Sequence, residues 1–294
     1  MNILDGKATA EQIKEEIKAQ VAHFIDDGLR PPHLAAVLVG NNPASETYVR
    51  NKEKNSKLVG FTSSVYNFPI DTSENELLKV IGFLNDDPDI DGFIVQLPLP
   101  QHINEEKIIN TINPKKDVDG FHPINVGKMV LGIDTYLPAT PSGIIELLKR
   151  NNIETTGKHA VIIGRSNIVG TPLSILLSRK NDVGNCTVTL CHSQTPNIQE
   201  FSLQADILVA AIGKPAFVKA DMVKDGAIVI DVGINTVPDN TKKSGYRTIG
   251  DVDFDEVSKK ASWITPVPGG IGPMTIVSLL MNTLKAYKYR FNLT

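Results

Sequence analysis

His159-Ala-Val-Ile-Ile163 runs straight into Gly164-Arg165-Ser166-Asn-Ile-Val-Gly170, and an apolar helical stretch follows to about residue 178. A continuous apolar run ending in glycine predicts a strand buried on both faces of a parallel sheet. A glycine-bearing turn between such a strand and a helix N-terminus is where a doubly wound sheet receives a phosphate. The spacing departs from GxGxxG: Ser166 replaces the middle glycine, and Gly170 closes the turn late. Taken alone, it also fits an ordinary strand-to-helix connection.

Around this turn the pattern repeats. Residues 187–191, 207–211 and 227–232 are further apolar strands. The second and third run into AlaIleGlyLysPro (211–215) and AspValGlyIleAsn (231–235), which place glycine at the carboxyl ends, where open α/β sheets bind ligands. Residues 236–248 are polar and hairpin-like. Thr140-Pro141 reads as a helix cap and first position, opening this unit. The end of the strand at 187–191, Leu190-Cys191-His192-Ser193-Gln194, carries no acid to hold a ribose hydroxyl. Arg165 suits a 2′-phosphate and Ser193 can donate to it, so NADP is expected over NAD; a solvated loop arginine is the plain alternative.

The first half also alternates helix and strand. Thr9-Ala-Glu-Gln12 reads as a capping box before the stripe Ile13, Ile17, Val21, Phe24 and Ile25. Residues 34–39 are an apolar strand. Ser45 reads as the cap of a helix that stops near Gly60. Residues 61–68 form a strand, Ser73-Glu-Asn-Glu76 caps a helix to about 84, and 92–96 form a short strand. This order argues for a second parallel sheet with right-handed crossovers. The expected fold is two α/β domains, the second doubly wound and Rossmann-like, with a cleft between them. The boundaries fall at 1–139 and 140–273, with the helix 274–294 packing back on the first domain.

The ProValProGlyGlyIleGlyProMetThr stretch (266–275) concentrates prolines and glycines before that last helix, reading as a shaped binding surface. Tyr48 and Lys52 lie four residues apart and so share one helix face; a solvated surface pair fits the spacing too. Gln96 ends a strand just before Leu97-Pro98-Leu99-Pro100. Asp117 and Asp119 sit in a polar loop, as turn formers or as ligand acceptors.

Composition narrows the classes. Of 294 residues, 41% are hydrophobic and 21% charged, ordinary for a globular protein, and the net charge of −3 offers nothing to nucleic acid or an anionic membrane. No apolar window spans a bilayer and no signal-peptide core stands at the start, so a cytoplasmic protein is expected. Two cysteines, not spaced CxxC, and histidines without HxxxH or HExxH predict neither a disulfide framework nor zinc. Asp251, Asp253 and Asp255 lack the glycine and glutamate of a calcium loop and read as a solvated helix start, with Asp251 also helping to shape the cleft.

Five motifs occur in order: TyrValArgAsnLys (48–52), ValGlnLeuProLeuPro (95–100), LysAspValAspGlyPheHisPro (116–123), GlyArgSerAsnIleValGlyThrPro (164–172) and the 266–275 stretch. Across essentially the whole chain the sequence resembles the bifunctional methylenetetrahydrofolate dehydrogenase/methenyltetrahydrofolate cyclohydrolase family, bacterial type. The resemblance implies a folate substrate, NADP, a homodimer and a place in one-carbon metabolism. It implies Lys52 as the catalytic lysine, Tyr48 lining the folate site, Gln96 bonding the lysine and Asp119 holding the pterin. It further implies substrate contacts at Val95, Leu97, Pro268, Gly269, Gly270 and Ile271, and cofactor contacts at Gly164, Arg165, Ser166, Ser193 and Ile234.

The implied chemistry suits these types. Hydride loss from the one-carbon bridge needs alignment, because no proton moves with it. Hydrolysis needs a group that takes a proton from water and returns one to nitrogen. A lysine performs this only if its acidity rises by about three orders of magnitude, a cost of about 4 kcal/mol. A dehydrogenase lacking the hydrolytic step and a non-catalytic binding module on the same fold are the competing classes. The Lys52–Gln96 pair argues against the first, and the set Tyr48, Lys52, Gln96 and Asp119 argues against the second.

Overall fold

The computed structural model describes residues 1–242 and 245–293. The chain divides into two compact units, residues 1–10 with 140–275 and residues 11–139 with 276–294. In chain order come β1 (Asn2–Ile3), α1 (Gly6–Asp26), β2 (His33–Val39), α2 (Pro43–Leu58), β3 (Thr62–Phe68), α3 (Glu74–Asp86), β4 (Gly92–Val95), α4 (Glu105–Thr111), α5 (Pro123–Leu131) and α6 (Ala139–Arg150). There follow β5 (His159–Ile163), α7 (Gly170–Ser178), β6 (Thr187–Cys191), α8 (Ile198–Ser202), β7 (Ile207–Ala210), β8 (Ile228–Asp231), β9 (Asn235–Pro238), β10 (Tyr246–Ile249), α9 (Phe254–Val257), β11 (Trp263–Ile264) and α10 (Ile271–Phe291).

In the unit of residues 11–139, a parallel sheet of order β3-β2-β4 carries the core. Val37 and Phe93 pack with Leu77, Ile81 and Leu84 of α3 and Ile108 of α4; each such side chain contributes about 1.5–3 kcal/mol by leaving water. Ser73 caps α3 in a complete capping box, as its sequence predicts. Two other expected caps are corrected. Asn42 Oδ1 accepts the N–H groups of Ala44 and Ser45 at 3.0 and 3.2 Å, so α2 starts at Pro43 and Ser45 lies inside it. Asn followed by Pro satisfies an orphan donor and removes another, which outranks a serine two residues on. Likewise Asp5 Oδ1 accepts Ala8 N–H at 2.9 Å, and Thr9 only back-bonds to Asp5 O.

Residues 113–118 run beside β4: Phe93 N–H donates to Lys116 O at 3.0 Å. Gly92 is required there, since a Cβ would stand 2.2 Å from Val118 Cγ1. From α10, the Asn282 amide donates to Val118 O and Leu137 O, both at 2.8 Å, fixing the far side of this loop.

The other unit is a parallel sheet of order β1-β11-β8-β7-β5-β6. Strand β6 follows β5 on one side and β7 pairs on the other, so the order reverses at β5 and the turn after it sits at a topological switch point. The N-terminus corrects the expected boundary. Asn2 and Ile3 pair parallel to Trp263 and Ile264, so residues 1–10 belong with this sheet and not with the first domain. Two helices start early: α6 at Ala139, one residue before Thr140, and α10 at Ile271, within the proline–glycine stretch. Pro273 is tolerated in the first turn because no intrahelical acceptor awaits its missing N–H. Strands β9 and β10 form the expected antiparallel hairpin; residues 243–244 of that segment lie outside the described residues. No helix among the described residues is long and apolar enough to cross a membrane.

Candidate active site

Helix α2 presents Tyr48 and Lys52 one turn apart. Lys52 is 9% exposed, and its Nζ donates to Gln96 Oε1 at 3.2 Å. The Gln96 side chain is oriented in turn, its Nε2 donating to Leu97 O at 2.7 Å. Gln96 follows directly on β4, whose last residue, Val95, is buried, and the Leu97–Pro98 bond is cis. Burial pushes the Tyr48 hydroxyl above its ordinary pKa, so it stays a neutral donor at physiological pH.

The two loop acids have different surroundings. Asp117 is buried, and its carboxylate accepts Phe121 N–H at 3.3 Å, His122 N–H at 2.8 Å and Asn125 Nδ2 at 2.8 Å. It shapes the turn before α5. Asp119 is half-buried and has no hydrogen-bonding partner for its carboxylate among the described residues. Burial raises its pKa; the Lys52 ammonium opposes the rise and the Asp117 charge adds to it. Lys52, Gln96 and Asp119 thus form one polar cluster within a single unit.

In the other unit, Pro268, Gly269, Gly270, Ile271 and Ile234 line one pocket of about 160 Å³. Val267–Pro268 is cis and Gly269 adopts φ +110°, a conformation that favours glycine. The floor is closely packed: a Cβ on Gly270 would stand 2.6 Å from Pro266 O.

The predicted cofactor turn follows β5. Gly164 has φ +120°, and a Cβ there would reach 2.2 Å from Ala211 O; on Gly170 it would reach 1.9 Å from Gly164 O. Both glycines are steric requirements of the turn. Ser166 Oγ accepts Val169 N–H at 3.1 Å, holding the turn at the head of α7. Arg165 is exposed, and its guanidinium has no ion pair or hydrogen bond among the described residues. Ser193 stands exposed after β6, in a turn where His192 N–H donates to Thr195 Oγ1 at 2.9 Å.

Asp251 corrects its expectation as part of a solvated helix start. It is fully buried, and its Oδ2 accepts the N–H groups of Ile212 and Gly213 at 2.7 and 2.9 Å. Asp231 is its partner and was not singled out by the sequence. The signal that would have found both is a glycine close beside each acid, in AspValGly (231–233) and Gly250-Asp251. No group of three or more His, Cys, Asp or Glu suited to a metal ion occurs among the described residues.

Fold and site define a two-unit α/β protein: one unit is a doubly wound dinucleotide-type sheet, the other holds a buried lysine with a glutamine and an unpartnered acid. The chain belongs to the tetrahydrofolate dehydrogenase/cyclohydrolase family, whose NAD(P)-binding domain matches residues 138–291 and whose catalytic domain matches residues 4–119. The bifunctional protein FolD of Cytophaga hutchinsonii is 59% identical, covering 97% of this chain and 99% of its own. The structure of the bifunctional FolD methylenetetrahydrofolate dehydrogenase/cyclohydrolase from Campylobacter jejuni aligns with a TM-score of 0.91 at 48% identity, covering 99% of each chain. The Trypanosoma brucei dehydrogenase–cyclohydrolase, complexed with NADP cofactor and an inhibitor, aligns with a TM-score of 0.91 at 38% identity, covering 97% of this chain and 96% of its own.

Proposed function

We infer that this chain oxidises 5,10-methylenetetrahydrofolate to 5,10-methenyltetrahydrofolate with NADP and hydrolyses the product to 10-formyltetrahydrofolate. Within this family, the observation that carries the reading is the buried Lys52 amine held by Gln96 beside the unpartnered Asp119. A homodimer in the cytoplasm accompanies the reading, on the family likeness.

The turn after β5 suits a dinucleotide. Gly164 and Gly170 keep it free of side chains, the end of β6 carries no acid, and Arg165 is free to pair with a 2′-phosphate. When bound, NADP accepts the hydride. The protein's part in that half is alignment, with Ile234 on one wall and Gly269–Gly270–Ile271 on the other. Asp119 accepts from the pterin N–H groups, which replaces the donors it lacks in the protein. Tyr48 lies along the ring and donates through its hydroxyl.

In the hydrolytic half, water adds to the carbon shared between two nitrogens. Lys52 takes the proton from that water and delivers one to the departing nitrogen as the C–N bond breaks. Gln96 orients the amine, its Oε1 accepting from Lys52 Nζ at 3.2 Å.

Absorbance of the methenyl product tests this reading: its formation follows oxidation and its decay follows hydrolysis. Wild type forms it with NADP and consumes it. Lys52→Met forms it without consuming it. Consumption at the wild-type rate in that variant would overturn the role of Lys52.

A further inference from the structure

Asp231, at the end of β8, is 3% exposed and lines the 160 Å³ pocket. Its backbone N–H donates to the buried Thr265 Oγ1 at 2.7 Å, which ties β8 to the segment leading into Pro266–Ile271. Its Oδ1 accepts Gly233 N–H at 3.0 Å and Asp251 N–H at 2.8 Å, and its Oδ2 accepts Val252 N–H at 2.9 Å. Asp251 reciprocates: besides Ile212 and Gly213 it holds the Asn235 side chain, at 2.9 Å. The acids leave no room for side chains beside them. A Cβ on Gly250 would stand 1.8 Å from Asp231 Oδ2, and one on Gly233 would stand 2.3 Å from Asp251 Oδ1.

This clasp pins one wall of the pocket, residues 232–234. The opposite wall has separate support, since Lys7 N–H donates to Gly269 O at 2.8 Å and Leu4 N–H to Ile264 O at 2.9 Å. The Asp231–Thr265 bond joins the two. We propose that Asp231 is a positioning residue that sets the spacing between the Ile234 wall and the Gly269–Ile271 wall, and so the register of nicotinamide against folate in the oxidation step. This rests on the two activities inferred above. Hydrolysis needs no nicotinamide, and its proton-transferring group, Lys52, lies on α2, so it depends far less on that spacing.

The two activities of one chain therefore supply the test. Asp231→Asn turns an N–H₂ group toward the ring of backbone donors and displaces the Ile234 wall. NADP-dependent oxidation should fall about 100-fold, the effect of an ångström-scale misplacement, while hydrolysis of added methenyltetrahydrofolate stays near wild type. Thr265→Val removes the acceptor of Asp231 N–H together with the hydroxyl that donates to Asp231 O at 3.5 Å; it should lose about tenfold in oxidation alone, and it decides the matter if Asp231→Asn does not fold. A parallel fall of both activities, or no fall in either, would refute the proposal. Absence of NADP-linked oxidation in the wild type would instead remove the reading beneath it.

Discussion

Each unit holds a pair of neighbouring aspartates, and the two pairs are bonded differently. Asp231 and Asp251 are both saturated by backbone and side-chain donors. Of Asp117 and Asp119, one is saturated and the other has no donor among the described residues. A buried carboxylate that has collected N–H groups is holding a loop in place. One left without them, next to an ammonium, retains its acceptor capacity for a ligand. The contrast separates architecture from chemistry where residue type does not.

Four experiments test the contrast. The largest effect is expected at the amine whose charge acts on Asp119: Lys52→Met should reduce hydrolysis about 1,000-fold, read by single-turnover decay of the methenyl absorbance. Next, the loop acids should dissociate stability from activity. Asp117→Ala leaves three donors without an acceptor and should cost about 3 kcal/mol in denaturant unfolding. Asp119→Asn should lower kcat/KM for folate at least about tenfold while the protein unfolds no earlier. An equal loss of stability in both variants would erase the distinction.

The third experiment is a pH series. Burial pushes Asp231 up to about 6 from its ordinary value of 3.8, despite the three backbone N–H groups that favour its charge. Between those values the folded chain holds a proton that the unfolded chain has released. Stability therefore falls as pH rises from 3.8 to about 6, by about 3 kcal/mol from this group. Asp231→Asn should lack that slope, and a curve superimposable on wild type would remove Asp231 as its source. The smallest effect concerns Arg165, exposed and unpaired among the described residues: Arg165→Ala should reduce the preference for NADP over NAD at least about tenfold, measured as a ratio of kcat/KM values. An unchanged ratio would leave it a solvated charge.

Much of the architecture was readable along the chain. Alternating apolar strands and helices and the glycine turn at Gly164 depend on periodicity and backbone freedom, which are properties of short segments. The Ser73 box was readable for the same reason, since both partners lie within four residues. Caps at Thr9 and Ser45 were misplaced because Asp5 and Asn42 compete for the same amides from a few residues upstream. The family motifs brought Lys52, Gln96 and Asp119 onto one list, but their spacing says nothing of which acid in the Asp117 loop is occupied.

Folding alone resolved that question, because the donors to Asp117 include Asn125 on a different element, and the Val118 carbonyl beside Asp119 is held from Asn282. The same holds for Asn2 and Ile3, which join a sheet whose neighbouring strand lies about 260 residues away, and for the mutual hold of Asp231 and Asp251. Hydrophobic pattern and turn chemistry are local and survive in one dimension. Satisfaction of a buried charge is a sum over whichever groups arrive around it, and that sum exists only once distant segments have packed together.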